Sequence, residues 1–282
     1  MILVTGATGN VGRPLVGLLA EAGVPFKAFV RDPERARDLL GSDVELVRGD
    51  FTEPATLEAV LEGVEVMFLL NGDPELEGRA VDVVLRSGVR RVVKQSALAI
   101  GLEPPPFHRR IEQRLERSGL VYTHLRPNAF MQTLAGYLLA LIDAGGTLRL
   151  PAGEGRVGWV DARDIAAVAF HAFTEEGHEG RVYPITGPES LSMAEVAAKV
   201  SGVSGRRVRY EDVPPASARQ IMVERGLPAP FADFLVGFYA AVREGNHDLV
   251  TDTVAEVTGR QPYTFDSFVR EHSAAFSGSP VQ

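Results

Sequence analysis

The residues best suited to chemistry lie at the start of the chain, in Thr5-Gly6-Ala7-Thr8-Gly9-Asn10-Val11-Gly12, directly after the apolar run Ile2-Leu3-Val4. Gly6 permits a tight turn. Gly9 lets a pyrophosphate approach the backbone where a Cβ would collide, and Gly12 lets a helix pack close to a sheet. The helix that follows offers unpaired N–H groups and a partial positive charge to phosphate oxygens. Gly6, Thr8, Gly9, Asn10, Val11 and Gly12 are therefore expected to hold a dinucleotide; a glycine-rich turn without a ligand is the competing reading.

Further candidates recur where apolar runs end. Phe29-Val30-Arg31 closes the second run, 25 residues after Gly6. A carboxylate at this place suits the ribose 2′-hydroxyl of NAD, an arginine the 2′-phosphate of NADP. Arg31 favours NADP(H), because Asp32, followed by Pro33, is better used as a helix cap. The alternative turns Asp32 to the ribose and leaves Arg31 in solvent. Asp50 and Phe51 follow the third run, and the backbone of Leu69, Leu70 and Asn71 at the end of the fourth should line the nicotinamide ribose trough. Ser96 lies just past the fifth run, at the carboxyl edge where ligands bind in such sheets. It is a candidate to contact the cofactor or orient a carbonyl oxygen, or simply a turn residue. Pro127 closes the sixth run and is grouped with the cofactor contacts.

His108 is the candidate acid. Imidazole titrates near neutrality, so an imidazolium there could protonate a reduced acceptor. Glu112 sits one turn further along the same helical face. A solvent-facing histidine at a helix start is the competing reading. On the substrate side, Pro127, Phe130, Met131, Leu134 and Tyr137 recur near helical spacing, and Phe231, Phe234, Leu235 and Phe238 form a second stripe. Such stripes are ordinarily core. If they line a pocket, with Phe130, Met131 and Tyr137 as its substrate contacts, the ligand is aromatic or quinonoid.

These residues need a frame, and the first half of the chain provides one. Strand-like runs at 2–5, 25–30, 43–48, 64–70, 89–94 and 121–125 alternate with helix-like stretches at 11–22, 33–40, 54–62, 75–87 and 108–118. Alternation predicts βαβ units in a parallel sheet, since each parallel crossover needs a covering helix. The expected fold is an α/β doubly wound parallel Rossmann sheet with a smaller, mostly helical carboxyl-terminal substrate lobe. After 125 come a helix at 129–142, a glycine-rich loop at 153–158, a helix at 161–174 and a strand at 181–186. From Leu191 the pattern is mostly helical, opening on a capping box, Ser192 with Glu195. Residues 1–128 with 156–187 read as the nucleotide-binding domain, and 129–155 with 188–282 as the lobe.

Composition narrows the function. The formal net charge of −8 argues against nucleic acid as a partner, since an acidic surface repels phosphate backbones. Only Lys27, Lys94 and Lys199 among the 29 basic residues are lysines, a bias expected of a GC-rich genome rather than of a function. With no cysteine, disulfides, thiolate nucleophiles and cysteine-ligated metals are excluded. Six histidines without metal-ligand spacing predict no metal site. No apolar run is long enough to span a bilayer, and the first residues read as a strand rather than a signal peptide. A soluble cytoplasmic protein with no membrane association is expected.

The GxxGxxG spacing resembles extended and atypical short-chain dehydrogenase/reductases. More narrowly, Thr5 to Gly12 resembles the NmrA-like family of quinone reductases, isoflavone-reductase relatives and redox-sensing regulators. The resemblance continues through Arg31, Gly49-Asp50, Leu125-Arg126-Pro127, Asp161-Ala162-Arg163-Asp164-Ile165-Ala166, Thr258-Gly259-Arg260, Phe265 and Phe268, essentially the whole chain. It implies that Arg31 binds the 2′-phosphate and that Asp50 and Phe51 flank the adenine, with Asp50 accepting from its amine; a turn role for Asp50 is equally open. It also implies a gap. The Tyr-x-x-x-Lys pair of standard members falls here on Pro104 and His108, so alcohol oxidation by the usual route is not expected.

Three functions remain. The first is an NADPH-dependent reductase of a small hydrophobic, electron-poor acceptor such as a quinone or enone. The second is a non-catalytic NADP(H)-sensing regulator with a protein partner, and the third a secondary-metabolism tailoring enzyme, with or without net redox change. A homodimer is compatible with each.

Overall fold

In the computed structural model, which describes residues 1–99 and 103–276, the expected alternation is realised with small shifts at the element ends. It runs β1 (Ile2–Val4), α1 (Gly12–Glu21), β2 (Phe26–Val30), α2 (Pro33–Leu40), β3 (Leu46–Arg48), α3 (Pro54–Val60), β4 (Val66–Leu69), α4 (Pro74–Val84), β5 (Arg91–Gln95), α5 (Pro106–Glu116) and β6 (Val121–Pro127). The chain continues through α6 (Met131–Leu141), β7 (Thr147–Leu150), β8 (Arg156–Val157), α7 (Ala162–Thr174), β9 (Arg181–Ile185), β10 (Leu191–Ser192), α8 (Met193–Ser204) and β11 (Arg209–Asp212). It closes with α9 (Pro215–Glu224), α10 (Ala229–Arg243), α11 (Thr253–Thr258), α12 (Phe265–Glu271) and α13 (Ser273–Phe276).

Seven strands form one parallel sheet in the order β3-β2-β1-β4-β5-β6-β9. The order reverses direction between β1 and β4, and such a switch point opens a crevice at the carboxyl ends of the strands. Helices cover both faces, because strands rich in valine and leucine are apolar on both sides. Leu15 and Leu19 of α1 with Ile165 and Val168 of α7 seal one face. Leu57 of α3, Val81 of α4 and Ile111 and Leu115 of α5 seal the other. The expected caps are present: Asp32 Oδ1 accepts from the N–H groups of Glu34 and Arg35, each at 3.1 Å, and Ser192 and Glu195 form a reciprocal capping box.

A third hydrophobic cluster joins α6, α8, α9, α10 and α12, and also takes in Val157 and Trp159. Two small sheets lie here that the hydrophobic pattern does not announce. β7 pairs in parallel with β11, and β8 pairs antiparallel with β10. β11 falls within the stretch expected to be mostly helical. Its residues, Arg209, Tyr210, Glu211 and Asp212, are largely exposed and polar, so nothing in their order signals a strand. Among the described residues no helix is long and apolar enough to cross a membrane.

Candidate active site

The glycine turn has the geometry that phosphate binding requires. Gly6 adopts a φ of +64°, and the Gly9 N–H donates to the Gly6 carbonyl at 2.9 Å. The three glycines do different work. A Cβ on Gly12 would lie 2.1 Å from the Gly6 carbonyl oxygen, so Gly12 allows α1 to pack under the turn. A Cβ on Gly9 would meet only that oxygen, at 3.2 Å, and otherwise point into open space. The N-cap of α1, Val11, provides no side-chain cap. Val11 is buried, while Thr8, Gly9 and Asn10 are exposed above the first helical N–H groups. That combination fits a pyrophosphate.

From this turn a cleft of about 440 Å³ extends along the strand ends, lined by Gly6, Thr8, Gly9, Arg31, Asp50, Phe51, Thr52, Leu70 and Asn71 among others. Arg31 is exposed and its guanidinium helps hold the Asp50 carboxyl below its ordinary range. With Asp32 committed to capping α2, Arg31 is the group at the cleft edge suited to a 2′-phosphate. Asp50 does make a turn: its Oδ1 accepts from both the N–H and the hydroxyl of Thr52, each at 2.8 Å, and these bonds are the main cause of its lowered pKa. Phe51 stands edge-on to Phe29 at 5.3 Å between ring centroids. Thr5 ties the floor together, donating to the Phe68 carbonyl at 2.8 Å and accepting from the Leu70 N–H at 2.9 Å. Leu69, unlike Leu70, is buried in the core beneath the sheet.

Beyond β5 and β6 lies a larger, mainly apolar cavity of about 680 Å³. Ser96, His108, Pro127, Phe130 and Tyr137 line it, as do Asn128, Trp159, Phe234, Phe238 and His247. Pro127 therefore faces this cavity rather than the cleft. Met131 does not line it; the side chain is fully buried in the hydrophobic cluster, with its methyl against Gly187. The second stripe divides likewise: Phe234, 62% exposed, Leu235 and Phe238 line the cavity, while Phe231 packs on the core and stands edge-on to Tyr137. The Tyr137 hydroxyl bonds that of Tyr239 at 2.7 Å, and burial raises its pKa, which excludes a phenolate. Ser96 Oγ is buried without a hydrogen bond at normal distance, yet close enough to Glu112 to favour its carboxylate.

His108 departs from expectation. Its Nδ1 lies 3.2 Å from the side-chain nitrogen of Lys94, a fully buried lysine that no motif in the sequence marks. Burial first, and the Lys94 charge second, lower the His108 pKa to about 3. Both effects favour the neutral ring over the imidazolium expected from the sequence. Glu112 does not bond it. Glu112 instead forms a two-point pair with Arg126, Nε at 3.1 Å and a terminal nitrogen at 2.7 Å, which fixes α5 against β6. Glu112, Glu116 and His124 bring ligand atoms within 4.8 Å of one another, but Arg126 and Arg109 already occupy the two carboxylates.

The later sequence motifs are structural. Asp164 accepts from Arg260 at 2.6 Å and from the Tyr263 N–H at 2.9 Å, joining two motifs that lie far apart in the chain. Asp161 caps α7 and pairs with Arg163, while Phe265 and Phe268 fill the core.

The profile of the NmrA-like family matches residues 1–258. The chain belongs to the NmrA-like family. Its similarity to an NAD(P)H azoreductase of Xenophilus azovorans is 40% identity, covering 99% of this chain and all of that protein. A (4-alkanoyl-5-oxo-2,5-dihydrofuran-3-yl)methyl phosphate reductase of Streptomyces griseus is 37% identical over 98% of this chain and 99% of its own. Among solved structures, the NADPH-dependent quinone oxidoreductase of Escherichia coli in complex with NADPH superposes with a TM-score of 0.87 at 26% identity, covering 96% of this chain and 99% of that one.

Proposed function

We propose that this protein is an NADPH-dependent reductase of a hydrophobic, electron-poor acceptor, a quinone, azo compound or enone. The observation that carries the reading is the apolar cavity at the carboxyl ends of β5 and β6, directly beside the cleft that begins at the glycine turn. When bound, the nicotinamide supplies the hydride. Gly9 and the uncapped start of α1 hold the pyrophosphate, Arg31 the 2′-phosphate, and the backbone at Leu70 and Asn71 the path between them. Phe130, Tyr137, Phe234 and Phe238 give a flat aromatic ligand apolar surface and exclude water from it. The His108 ring is a polar group at the cavity wall suited to an acceptor oxygen or nitrogen. A quinone needs little acid assistance, so the absence of the Tyr-x-x-x-Lys pair is no obstacle to its reduction. The azoreductase and the dihydrofuranone reductase among the relatives support an unsaturated or azo acceptor over an alcohol.

The test is NADPH oxidation followed at 340 nm with a quinone, an azo dye and an enone, beside calorimetric NADPH binding. Turnover with at least one acceptor and a preference for NADPH over NADH are expected. Tight binding without turnover on any of the three would overturn the reductase and favour a sensor.

A further inference from the structure

Behind the acceptor cavity lies a buried charged group for which cofactor binding provides no use. Lys94 points from β5 into the space under α4 and α5, and both it and Glu77 of α4 are fully buried. The ammonium meets Glu77 Oε2 at 2.8 Å, the Gln95 carbonyl at 2.6 Å and His108 Nδ1 at 3.2 Å. Glu77 Oε1 in turn accepts from the Asn71 N–H at 3.2 Å. Burying such a pair is costly, and a pair of apolar residues would commonly serve stability as well.

We propose that Lys94 is a positioning and proton-relay residue that locks His108 with its N–H at Nε2, facing the acceptor. This rests on the reductase reading above. An ammonium has three hydrogens and no lone pair, so all its neighbours must accept. Burial lowers the Lys94 pKa, but the Glu77 carboxylate at 2.8 Å and the Gln95 carbonyl at 2.6 Å are both acceptors that hold the ammonium form. Its three partners then use all three hydrogens, and Nδ1 is the unprotonated nitrogen. The proton of the neutral ring sits on Nε2, which bonds no described residue and belongs to a side chain lining the cavity. The charged groups facing the ring are Lys94 from β5, Glu77 from α4 at 3.7 Å, and Glu112 from its own helix. The Lys94 charge opposes protonation of the ring, so His108 donates as a neutral imidazole.

The proton balance is simple. An acceptor that has taken a hydride, with both its electrons, carries an anionic oxygen or nitrogen. The Nε2 proton passes to that atom while Lys94 gives a proton to Nδ1. The ring stays neutral with its proton on Nδ1, and the lysine is left as an amine beside the Glu77 carboxylate. Once product departs, Nε2 takes a proton from water entering the cavity, and Nδ1 returns its own to Lys94. The net consumption is one hydride and one proton from water.

The test reads the imidazole directly. Long-range 15N–1H spectra of the full-length protein, with His108 assigned from His108→Gln, should show the Nε2–H tautomer and no titration from pH 8.5 to 5. In Lys94→Met the lock is gone and the Glu77 carboxylate remains close, so the ring should titrate at higher pH and lose its single tautomer. The charge-neutral pair Glu77→Gln/Lys94→Met guards against misfolding; it should lose the tautomer without gaining the raised titration. In turnover, Lys94→Met should lower kcat about tenfold or more, leave NADPH affinity unchanged and make kcat pH-dependent. A wild-type His108 with its proton on Nδ1, or titrating near 6.5, overturns the lock. An unchanged tautomer or kcat in both variants overturns the role of Lys94. If the wild type turns over no acceptor, the reductase reading and the relay fall, while the spectra still decide the lock.

Discussion

Asn128 and His247 bind each other twice across 119 positions of sequence: the Asn128 amide oxygen lies 2.9 Å from His247 Nδ1, and its nitrogen donates to the His247 carbonyl at 3.0 Å. The amide oxygen can only accept, as it does from the Ala129 N–H at 2.9 Å, so Nδ1 is the donor. Burial lowers the His247 pKa to about 4, in agreement with that assignment. The pair joins the end of β6 to the turn after α10, and thereby sets the distance between opposite walls of the cavity.

Removing the clasp should loosen the cavity without touching the cofactor cleft. In Asn128→Ala, the His247 carbonyl keeps the Gly158 and Leu249 N–H groups, but the ring loses its partner. An orphaned buried donor costs about 1–3 kcal/mol. A lowered urea midpoint and a raised KM for the acceptor are expected, with NADPH affinity unchanged by calorimetry. Equal weakening of both ligands would show that the cavity and the cleft are not separable.

Two glycines three positions apart should fail in opposite ways. Gly9→Val places its side chain where only the Gly6 carbonyl is near. The fold should survive with its melting temperature nearly unchanged, while NADPH binding disappears. Gly12→Ala forces a Cβ to within 2.1 Å of backbone and should lower stability before any ligand is added. Retained NADPH affinity in the Gly9 variant would refute the phosphate assignment.

Arg31→Glu should discriminate between cofactors. A hydrogen bond to a charged group is worth about 1.5–3 kcal/mol, or roughly tenfold to more than a hundredfold in affinity. The loss should fall on NADPH and spare NADH. Because Arg31 is exposed and Asp32 already caps α2, no change in stability is expected. A common loss for both cofactors would place Arg31 outside the 2′-phosphate site.

Stability should decline in mild acid. Burial holds His108 near a pKa of about 3, and His124 and His247 near about 4, against an ordinary value of 6.5. Below 6.5 the unfolded chain takes up protons that the fold refuses. The stabilising contribution is therefore complete above 6.5 and is lost as pH falls toward 4, by up to about 1.4 kcal/mol per group and pH unit. Asp164 acts in the opposite sense. Burial raises its carboxyl to about 6, so its contribution is present at low pH and lost as pH rises through 6. Three groups outweigh one, and urea midpoints should fall between pH 7 and pH 5. A midpoint independent of pH across that range would contradict the burial of these rings as neutral groups.

The sequence was most readable where local physics decides. The β1–α1 turn, the Asp32 and Ser192 caps and the strand–helix alternation follow from residues close in the chain, and each stands where expected. Lys94 belongs to no motif, yet it carries a signal: a lysine within Arg91-Val92-Val93-Lys94-Gln95, in a strand covered on both faces, needs a buried partner. That partner, Glu77, lies 17 positions away on a helix, and no periodicity links the two. His108 is legible by its position, but its charge state follows from burial first and the Lys94 charge second, neither of which is local in the sequence. Met131 fits the helical stripe of Phe130 and Tyr137, yet faces inward, because the stripe is wider than the strip of α6 that borders the cavity.

The cleft and the cavity also differ in when they can exist during synthesis. Every residue lining the cleft lies between Gly6 and Leu76, whereas the cavity draws its last wall from Asn246 and His247. A chain leaving the ribosome amino terminus first therefore carries all of its cleft residues while more than half of its length is still untranslated. Asp164 is joined to Arg260 and Tyr263 by contacts among the last the ribosome can release. Chains cut short before Arg260 would retain every residue that lines the cleft and the cavity, but would leave the buried Asp164 carboxylate of α7 without its partners.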